Sequence, residues 1–215
     1  MLCRTTAAKK RALDNLLNAV LDRARQLDLI ADKPQGAIDA TGFETHHVSA
    51  HYLHRTGKRT AQYTAWTKVT AVCDTQTHLF WSCIVTRGPD NDCPHFAPAV
   101  IQAGRYLRFD RLLGDAGFDS ESNHALARED LGIRSTVIPL NRRGGTQPAQ
   151  GRYRQQMERQ FPNRVYRQRV QIESSFSQHK RVLGSALRAR NNPSRERECF
   201  VKILTHNLMI LYCLN

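Results

Sequence analysis

The sequence predicts an α/β fold in which a mixed five-stranded sheet is flanked by helices. Three observations support this prediction. Three β-rich segments come first, two later strands alternate with helical segments, and the segments before and after this group have the apolar spacing of helices. At 215 residues the chain is long enough to bury one proper core. We therefore expect a single sheet-based domain with appended helices.

The N-terminal half is predicted to contain one helix and three strands. Residues 6–29 carry leucines at helical spacing, and a short strand at 35–41 follows them. Two β-rich runs at 63–73 and 78–86 are joined by Asp74-Thr75-Gln76-Thr77, a sequence that suits a hairpin turn. These segments would form the first three strands of the sheet.

The C-terminal half is predicted to alternate helices with strands. In chain order it contains a helix at 94–103, a strand at 111–114, a helix at 120–131, a strand at 135–140, a basic loop at 141–162, a helix that contains Tyr166 and a last helix at 194–212. The whole order is that of a ribonuclease H-like fold. In that fold the first and fourth strands end side by side, and the helix after the fifth strand crosses the same edge. Asp39, Asp115 and Glu173 fall at those three places.

The basic charge of the chain predicts a polyanionic partner. The formal net charge is +13, and the segment 141–200 holds fourteen basic and four acidic residues, which is +10 of that total. Nucleic acid is the commonest partner of such a protein. No apolar run is long enough to span a bilayer and the N-terminus lacks the hydrophobic core of a signal peptide, so we expect a cytoplasmic protein.

One helix presents four functional side chains in a line. Tyr166, Arg169, Glu173 and Lys180 are three, four and seven residues apart, which places all four on one narrow stripe. An apolar stripe runs beside them, so the Glu173 carboxylate is predicted to be half-shielded and next to cations. An ordinary ion pair between Glu173 and Arg169 is the structural alternative.

Three sequence blocks together resemble the DDE transposases of bacterial insertion sequences, in the subgroup with the Tyr-Arg-Glu-Lys signature. The signature is the stripe from Tyr166 to Lys180, with all four residues and all three spacings matched. Asp39-Ala40-Thr41-Gly42 resembles the block of the first aspartate, and Asp115-Ala116-Gly117-Phe118 resembles that of the second. The resemblance covers roughly residue 34 to the C-terminus.

The resemblance implies metal-dependent cleavage of DNA and transfer of the cut strand into a target. In-line phosphodiester cleavage needs two hard cations about 4 Å apart, and carboxylates are their natural ligands. We assign Asp39 as the bridging ligand of two Mg²⁺ ions, with Asp115 and Glu173 each holding one; Mn²⁺ could substitute. Asp119 competes with Asp115 for this role, although Asp119-Ser120 has the pattern of a helix cap.

The resemblance also implies the DNA contacts. Tyr166 and Arg169 would grip phosphates near the cleaved end, and Lys180 would hold a phosphate close to the scissile bond. Basic residues outside the stripe are further candidates for phosphate contacts: Arg142, Arg143, Arg188 and Arg190. The expected partners are duplex DNA at the inverted repeats of a transposon and at its target, bound by a dimer in the bacterial cytoplasm.

Two segments of the chain limit what the resemblance implies. Residues 1–33 are interpreted as a lead-in helix, in one explanation the remnant of a longer N-terminal region, before a catalytic domain at 34–215. A truncated gene or a second reading frame would explain the short lead-in. The loop 141–162 replaces a large β-rich insertion of some relatives, which puts a hairpin route of cleavage in doubt.

Two competing functions and one competing site remain from the sequence. The chain could be a DNA-binding protein that has lost turnover, or a nuclease of the same fold that does not transpose. Four histidines at 46, 47, 51 and 54 could suggest zinc, but they lie in a polar basic segment without a matching cysteine pair. We interpret that segment as a loop that faces DNA.

Overall fold

The computed structural model describes residues 2–45, 66–142 and 147–213, with side chains from residue 11 onward. Its helices and strands in chain order are α1 (Leu2–Gln26), β1 (Gln35–Phe43), β2 (Trp66–Asp74), β3 (Ile84–Gly88), α2 (Phe96–Tyr106), β4 (Arg111–Gly114), α3 (Glu121–Ala125), β5 (Ser135–Val137), α4 (Arg152–Arg159), α5 (Asn163–Tyr166), α6 (Val170–Leu183) and α7 (Asn192–Cys213). Short 3₁₀ turns precede α2 and α3 and join α5 to α6, and a π turn follows α3.

The five strands form one mixed sheet in the order β3-β2-β1-β4-β5. The hairpin pairs β1-β2 and β2-β3 are antiparallel, whereas β4 pairs with β1 and β5 in parallel. Helix α6 packs against β1 and β2, and α2 packs against β2. This architecture confirms the predicted ribonuclease H-like α/β fold.

Helix α1 is part of the packed structure. Its side chains Leu17, Leu21 and Ala24 are fully buried, and the helix packs against α7. Asp14 Oδ1 accepts hydrogen bonds from Gln102 and Tyr106, so α1 is also tied to α2. Within the described part of the chain, every helix is too short or too polar to cross a membrane.

The predicted turn after β2 is present, but the strand that follows begins later than predicted. Asp74 Oδ1 accepts hydrogen bonds from the backbone N–H groups of Gln76 and Thr77, which closes the turn. Phe80 and Trp81 then fill the core with no exposed surface, and regular pairing resumes only at Ile84. The interruption lies after Trp81: the Val72 N–H donates to the Ser82 hydroxyl and the Cys83 N–H donates to Gln102 Oε1, so side chains replace backbone partners in this segment.

The predicted loop 141–162 contains a helix that the sequence prediction missed. Helix α4 has no side-chain cap of its own at Gly151. Instead, the Glu121 carboxylate accepts hydrogen bonds from the backbone N–H groups of Tyr153 and Arg154. The positive φ of Gly151, 94°, brings its backbone against Glu121, where a Cβ would lie 2.3 Å from the carboxyl carbon. A cap supplied from thirty residues away leaves no local sequence signal.

Two glycines provide a matched test of core packing. A Cβ on Gly36 would lie 2.7 Å from Trp81 Cζ3 and 2.9 Å from Val72 Cγ1, whereas a Cβ on Gly104, in α2, meets nothing within 4 Å. Gly36→Ala should therefore lower the free energy of unfolding by about 1–3 kcal/mol. Gly104→Ala should raise it by up to about 1 kcal/mol, since alanine is the better helix former. Urea unfolding of both variants measures these changes, and equal stabilities would contradict the packing described for Trp81.

Candidate active site

The register of two parallel strands places Asp39 and Asp115 next to each other. Ile38 in β1 pairs with Gly114 in β4, and each aspartate is the next residue of its chain. Asp39 Oδ1 accepts a hydrogen bond from the N–H of Ala40 at 2.8 Å. Asp115 caps the 3₁₀ turn Ala116–Phe118, accepting from the Gly117 N–H at 2.8 Å.

The helical run that carries the signature differs from the uniform helix predicted. It consists of α5, a 3₁₀ turn at Arg167–Arg169 and α6. In a 3₁₀ turn, residues i and i+3 eclipse each other. Arg169 accordingly lies over the ring of Tyr166, with its Cζ atom 5.9 Å from the ring centroid. The stripe is kept because the tightened turn aligns its first two members.

Arg169 joins the first strand to the helix. One guanidinium nitrogen, Nη1, lies 3.5 Å from Asp39 Oδ2, and the other, Nη2, donates to Glu173 Oε1. Only 18% of the Arg169 side chain and 21% of Asp39 are exposed, whereas half of Glu173 is exposed. A single cation therefore holds two carboxylates from distant parts of the chain.

The carboxylates form one electrostatic group. Burial raises the pKa of Asp39 from 3.8 to about 6, and the charges of Asp115 and Glu173 add to the increase. The hydrogen bond from Ala40 and the charge of Arg169 act in the opposite direction. Burial is also the first cause of a raised pKa at Tyr166, where Asp115 and Glu173 again contribute. The Asp39 carboxyl group thus lies in a partly desolvated environment with two other carboxylates nearby.

These residues have the chemistry of a site for hard cations. Three carboxylates from different elements supply oxygen ligands, the kind that Mg²⁺ prefers. Among the residues that the structure describes, no three Asp, Glu, His or Cys side chains form a metal-binding group, and Arg169 lies between two of the candidate ligands. The donor set fits a divalent ion, provided that Arg169 gives way to it.

Asp119, the competitor of Asp115, is used elsewhere. Its fully buried carboxylate forms an ion pair with Arg154 at 2.9 Å and accepts a hydrogen bond from the Asn141 N–H. The helix cap next to it is Ser120, whose hydroxyl accepts from the Asn123 N–H. Asp119 therefore fastens α4 to the segment after β4 and lies apart from the group around Asp39.

Lys180 lies further along α6. Seven residues separate it from Glu173, about 10 Å along the helix axis. Its Nζ atom is 5.3 Å from the centroid of the Phe43 ring, and burial is the main cause of its lowered pKa. Phe43 is four residues after Asp39 on β1. Lys180 therefore lies over β1, the strand that carries Asp39, nearer to the C-terminal end of that strand.

The remaining predicted DNA contacts lie outside this group. Arg142 is exposed and forms an ion pair with Glu158 in α4 at 2.6 Å. Arg188 and Arg190 are exposed in the segment between α6 and α7. Arg143 and the four histidines at 46, 47, 51 and 54 lie outside the described residues.

A buried lysine braces the other side of the Asp115 turn, a feature that the sequence analysis missed. Lys68 Nζ contacts Asp92 Oδ1 at 2.6 Å and donates to the Asp90 carbonyl at 2.5 Å, although only 8% of its side chain is exposed. A Cβ on Gly117 would lie 3.2 Å from Asp92 Oδ2 and 3.8 Å from Asp115 Oδ1, so those oxygens are at most 7.0 Å apart. A lysine inside a strand that is otherwise free of charge up to its last residue is the signal that could have indicated this contact.

A comparison with protein families agrees with this architecture. The family model described as "Transposase DDE domain" matches residues 30–208. The match begins between α1 and β1 and ends within α7, so it includes every strand and the three carboxylates. No curated protein matches the chain significantly.

The raised pKa of Asp39 gives a pH-dependent test. Because the folded pKa is about 6 and the ordinary value 3.8, the folded state binds this proton more tightly. The resulting stability is present below about pH 4 and is lost as the pH rises through 6. Relative to Asp39→Asn in EDTA, the wild type should therefore lose stability between pH 4 and 7, by at most about 3 kcal/mol.

Asp90 supplies the control for this measurement. Its pKa is lowered, chiefly by the hydrogen bond with His95, so the stability that it contributes is present above the ordinary value of 3.8 and is lost only as the pH falls below it. Relative to Asp90→Asn, the wild type should therefore stay level between pH 4 and 7. Urea unfolding at each pH provides the free energies. If the difference in free energy of unfolding between the wild type and Asp39→Asn stayed constant from pH 4 to 7, the desolvation of Asp39 would be contradicted.

Proposed function

The chain belongs to the transposase DDE domain family, and from that premise we propose that it cuts transposon ends and joins them to target DNA. Metal-dependent hydrolysis of a phosphodiester would release the end, and attack by the freed 3′ hydroxyl on a target phosphate would transfer the strand. The observation that carries the proposal is the convergence of three carboxylates from distant parts of the chain: Asp39 and Asp115 follow paired residues of β1 and β4, and Glu173 from α6 interacts electrostatically with Asp39.

Asp39, Asp115 and Glu173 are the proposed metal ligands. Asp39 is central, since its carboxylate interacts electrostatically with both of the others. It would contact both ions, while Asp115 and Glu173 would each hold one. Two Mg²⁺ ions, or Mn²⁺ in their place, would activate the attacking oxygen and stabilise the leaving oxygen. Half-exposed Glu173 leaves the group open on the side from which DNA would approach.

Arg169 has two roles in this proposal. In the absence of metal, its guanidinium offsets the repulsion between Asp39 and Glu173. Cations that replaced it at the carboxylates would free it for a phosphate, to which a guanidinium can donate two parallel hydrogen bonds. Tyr166, whose ring lies under the guanidinium, would contact a phosphate near the cleaved end beside Arg169. Lys180 would hold a phosphate further along the strand.

The basic C-terminal half would hold the DNA duplex. Arg188 and Arg190 lie in the segment between α6 and α7, and Arg142 lies in the segment after β5, where Arg143 is the next residue of the sequence. Their contacts would orient the DNA without reading its bases. We propose a dimer on DNA in the bacterial cytoplasm, with residues 34–215 as the catalytic domain and 1–33 as the lead-in.

A DNA-binding protein without turnover is the second candidate. It is favoured by the ion pairs of Arg169, which neutralise Asp39 and Glu173 in the described conformation. A nuclease that does not transpose would use the same carboxylates. Strand-transfer products on a target DNA distinguish the first proposal from both alternatives.

Replacement of Glu173 tests the proposed metal site. Glu173→Gln keeps the size of the side chain and removes one ligand charge, so cleavage of an inverted-repeat end in Mg²⁺ should fall by more than about 100-fold. DNA affinity measured in Ca²⁺ should stay level or rise slightly, because one repulsive charge is lost. Any separate end-recognition domain is to be supplied in the assay.

Two variants serve as controls for the Glu173 experiment. Glu129→Gln removes the same charge from a residue that accepts a hydrogen bond from the Tyr153 hydroxyl, and it should cut normally. Lys180→Ala should weaken cleavage without changing its dependence on Mg²⁺ concentration, because a phosphate contact and not a ligand is lost. Normal cutting by Glu173→Gln would contradict the proposed site, and unfolding of that variant would favour a structural ion pair.

The proposed DNA path is tested by charge reversal. Arg188→Glu together with Arg190→Glu should weaken binding to all duplex sequences alike and reduce the salt slope by roughly one unit per lost contact. Arg134→Glu is the matched control, because Arg134 pairs with Asp110 at the opposite end of the sheet. Equal losses in the double variant and the control would contradict a localised path. Fluorescence anisotropy at several salt concentrations measures both.

A further inference from the structure

Helix α4 and the residue that caps its C-terminus present one face of arginine and glutamine side chains. At about 100° per residue, these side chains fall within an arc of roughly 140° around the helix axis. They also line one open cavity of about 360 Å³, so they point to the same side of the helix: Arg152, Gln155, Gln156, Arg159 and Gln160. The face carries arginine charges and no acidic residue. It therefore suits a polyanionic partner.

The other sides of α4 attach the helix to the domain. Tyr153 is buried, with only 6% of its surface exposed. Arg154 forms its ion pair with the fully buried Asp119, and Glu158 pairs with Arg142. The helix is thus held by one apolar and one charged side, while its arginine and glutamine face remains exposed to a partner.

The side chains of this face have free hydrogen-bonding groups. In the part of the chain that the structure describes, neither Gln155 nor Arg159 makes a side-chain hydrogen bond or an ion pair. Gln156 differs, since its Oε1 accepts a hydrogen bond from Arg128 at 2.8 Å. Arginine can donate two hydrogen bonds to guanine O6 and N7, and glutamine can pair with adenine N6 and N7. Both residue types therefore suit the base edges of the major groove.

The exposed basic surface continues from α4 toward the candidate active site. Phe161, two residues after Arg159, lies with its ring centroid 5.1 Å from that of Tyr166. Arg164 in α5 and Arg167 in the following 3₁₀ turn are exposed, and neither has an acidic partner among the described residues. Helix α4 is only about 12 Å long. Its face consequently lies within about one turn of duplex DNA, roughly 34 Å, of Tyr166.

We propose that α4 enters the major groove of a transposon end and reads its bases, with Arg159 on a guanine and Gln155 on an adenine. The identity of that DNA rests on the proposed function. The major groove is about 12 Å wide and admits an α-helix. Arg164 and Arg167 would contact the flanking phosphates, which position the duplex without reading it. Sequence recognition would thus lie next to the cleaved phosphate.

Modified purines test contacts in the major groove directly. Fluorescence anisotropy of the whole chain without divalent metal should show tighter binding to the inverted-repeat duplex than to a scrambled duplex of the same composition. Replacement of guanine by 7-deazaguanine removes the N7 acceptor and keeps base pairing. It should weaken wild-type binding to the inverted repeat by about 5- to 150-fold and leave binding to the scrambled duplex unchanged. Replacement of adenine by 7-deazaadenine tests the glutamine contact in the same way.

Variants assign these effects to α4. Arg159→Lys keeps the charge and loses the planar fork, so the preference for the inverted repeat should fall by the same factor while the salt slope stays level. In this variant 7-deazaguanine should cause no further loss. Gln155→Ala should likewise lose its response to 7-deazaadenine. Arg134→Lys is the matched control, because Arg134 pairs with Asp110 away from α4, and it should bind like the wild type.

Retention of the full preference by Arg159→Lys, or an equal loss in Arg134→Lys, would overturn the proposal. A lower salt slope in Arg159→Lys without a change in preference would assign that residue to a phosphate and also overturn it. Cleavage in Mg²⁺ is a separate readout. A chain that cuts transposon ends but binds both duplexes equally would overturn the reading by α4 alone. A chain that distinguishes the duplexes but does not cut would overturn the proposed cleavage alone.

Discussion

The fold brings the carboxylates of Asp39, Asp115 and Glu173 together where water is partly excluded. The site depends on the Arg169 cation that lies beside them. Adjacent parallel strands present Asp39 and Asp115 in neighbouring positions, while α6 brings Glu173 to the same edge. The resulting desolvation and repulsion disfavour the ionised form of Asp39. Arg169 offsets part of that cost from the helix. In our proposal, Asp39, Asp115 and Glu173 would hold divalent ions, whose charge would offset the same repulsion.

Two further ion pairs hold the segment after β4 from either side. Lys68, almost buried, contacts Asp92 next to Gly117, and Arg154 contacts the fully buried Asp119. Buried charges are costly unless they are paired, so both arrangements restrict where the turn can lie. The position of Asp115 thus follows from strand register and from two contacts made by distant elements. Such support is what a site needs when its ligands must meet a cation within fractions of an ångström.

The sequence predicted those parts of the fold that have local signals. Strand β4 begins and ends as expected, and the strands follow the expected order because β-rich runs and helical periodicity are local properties. Helix α4 escaped prediction because Glu121 caps it from a distant segment. The start of β3 was placed too early, since the side chains of Ser82 and Gln102 replace backbone partners just before Ile84. Both errors come from tertiary contacts that no short window contains.

The candidate site shows the same division. The spacing of Tyr166, Arg169 and Glu173 predicted a common stripe, and the structure keeps it through a 3₁₀ turn that the spacing alone did not predict. Asp39 was named from the resemblance as a metal ligand, and its contact with Arg169 across the fold was not predicted. Lys68 and its contact with Asp92 had no counterpart in the motifs. Pairing between elements far apart in the chain is fixed by packing, which periodicity does not report.

The central claim is that metal ions would replace the Arg169 guanidinium as the cationic partner of the carboxylates. A crystal structure with Mn²⁺ and a transposon-end DNA tests this claim most directly. Anomalous scattering locates the ions without reference to activity. The account predicts two peaks about 4 Å apart, Asp39 in contact with both, and Arg169 withdrawn to a DNA phosphate. Arg169 still bound to Asp39 and Glu173, with Mn²⁺ absent from the carboxylates in that DNA complex, would contradict it.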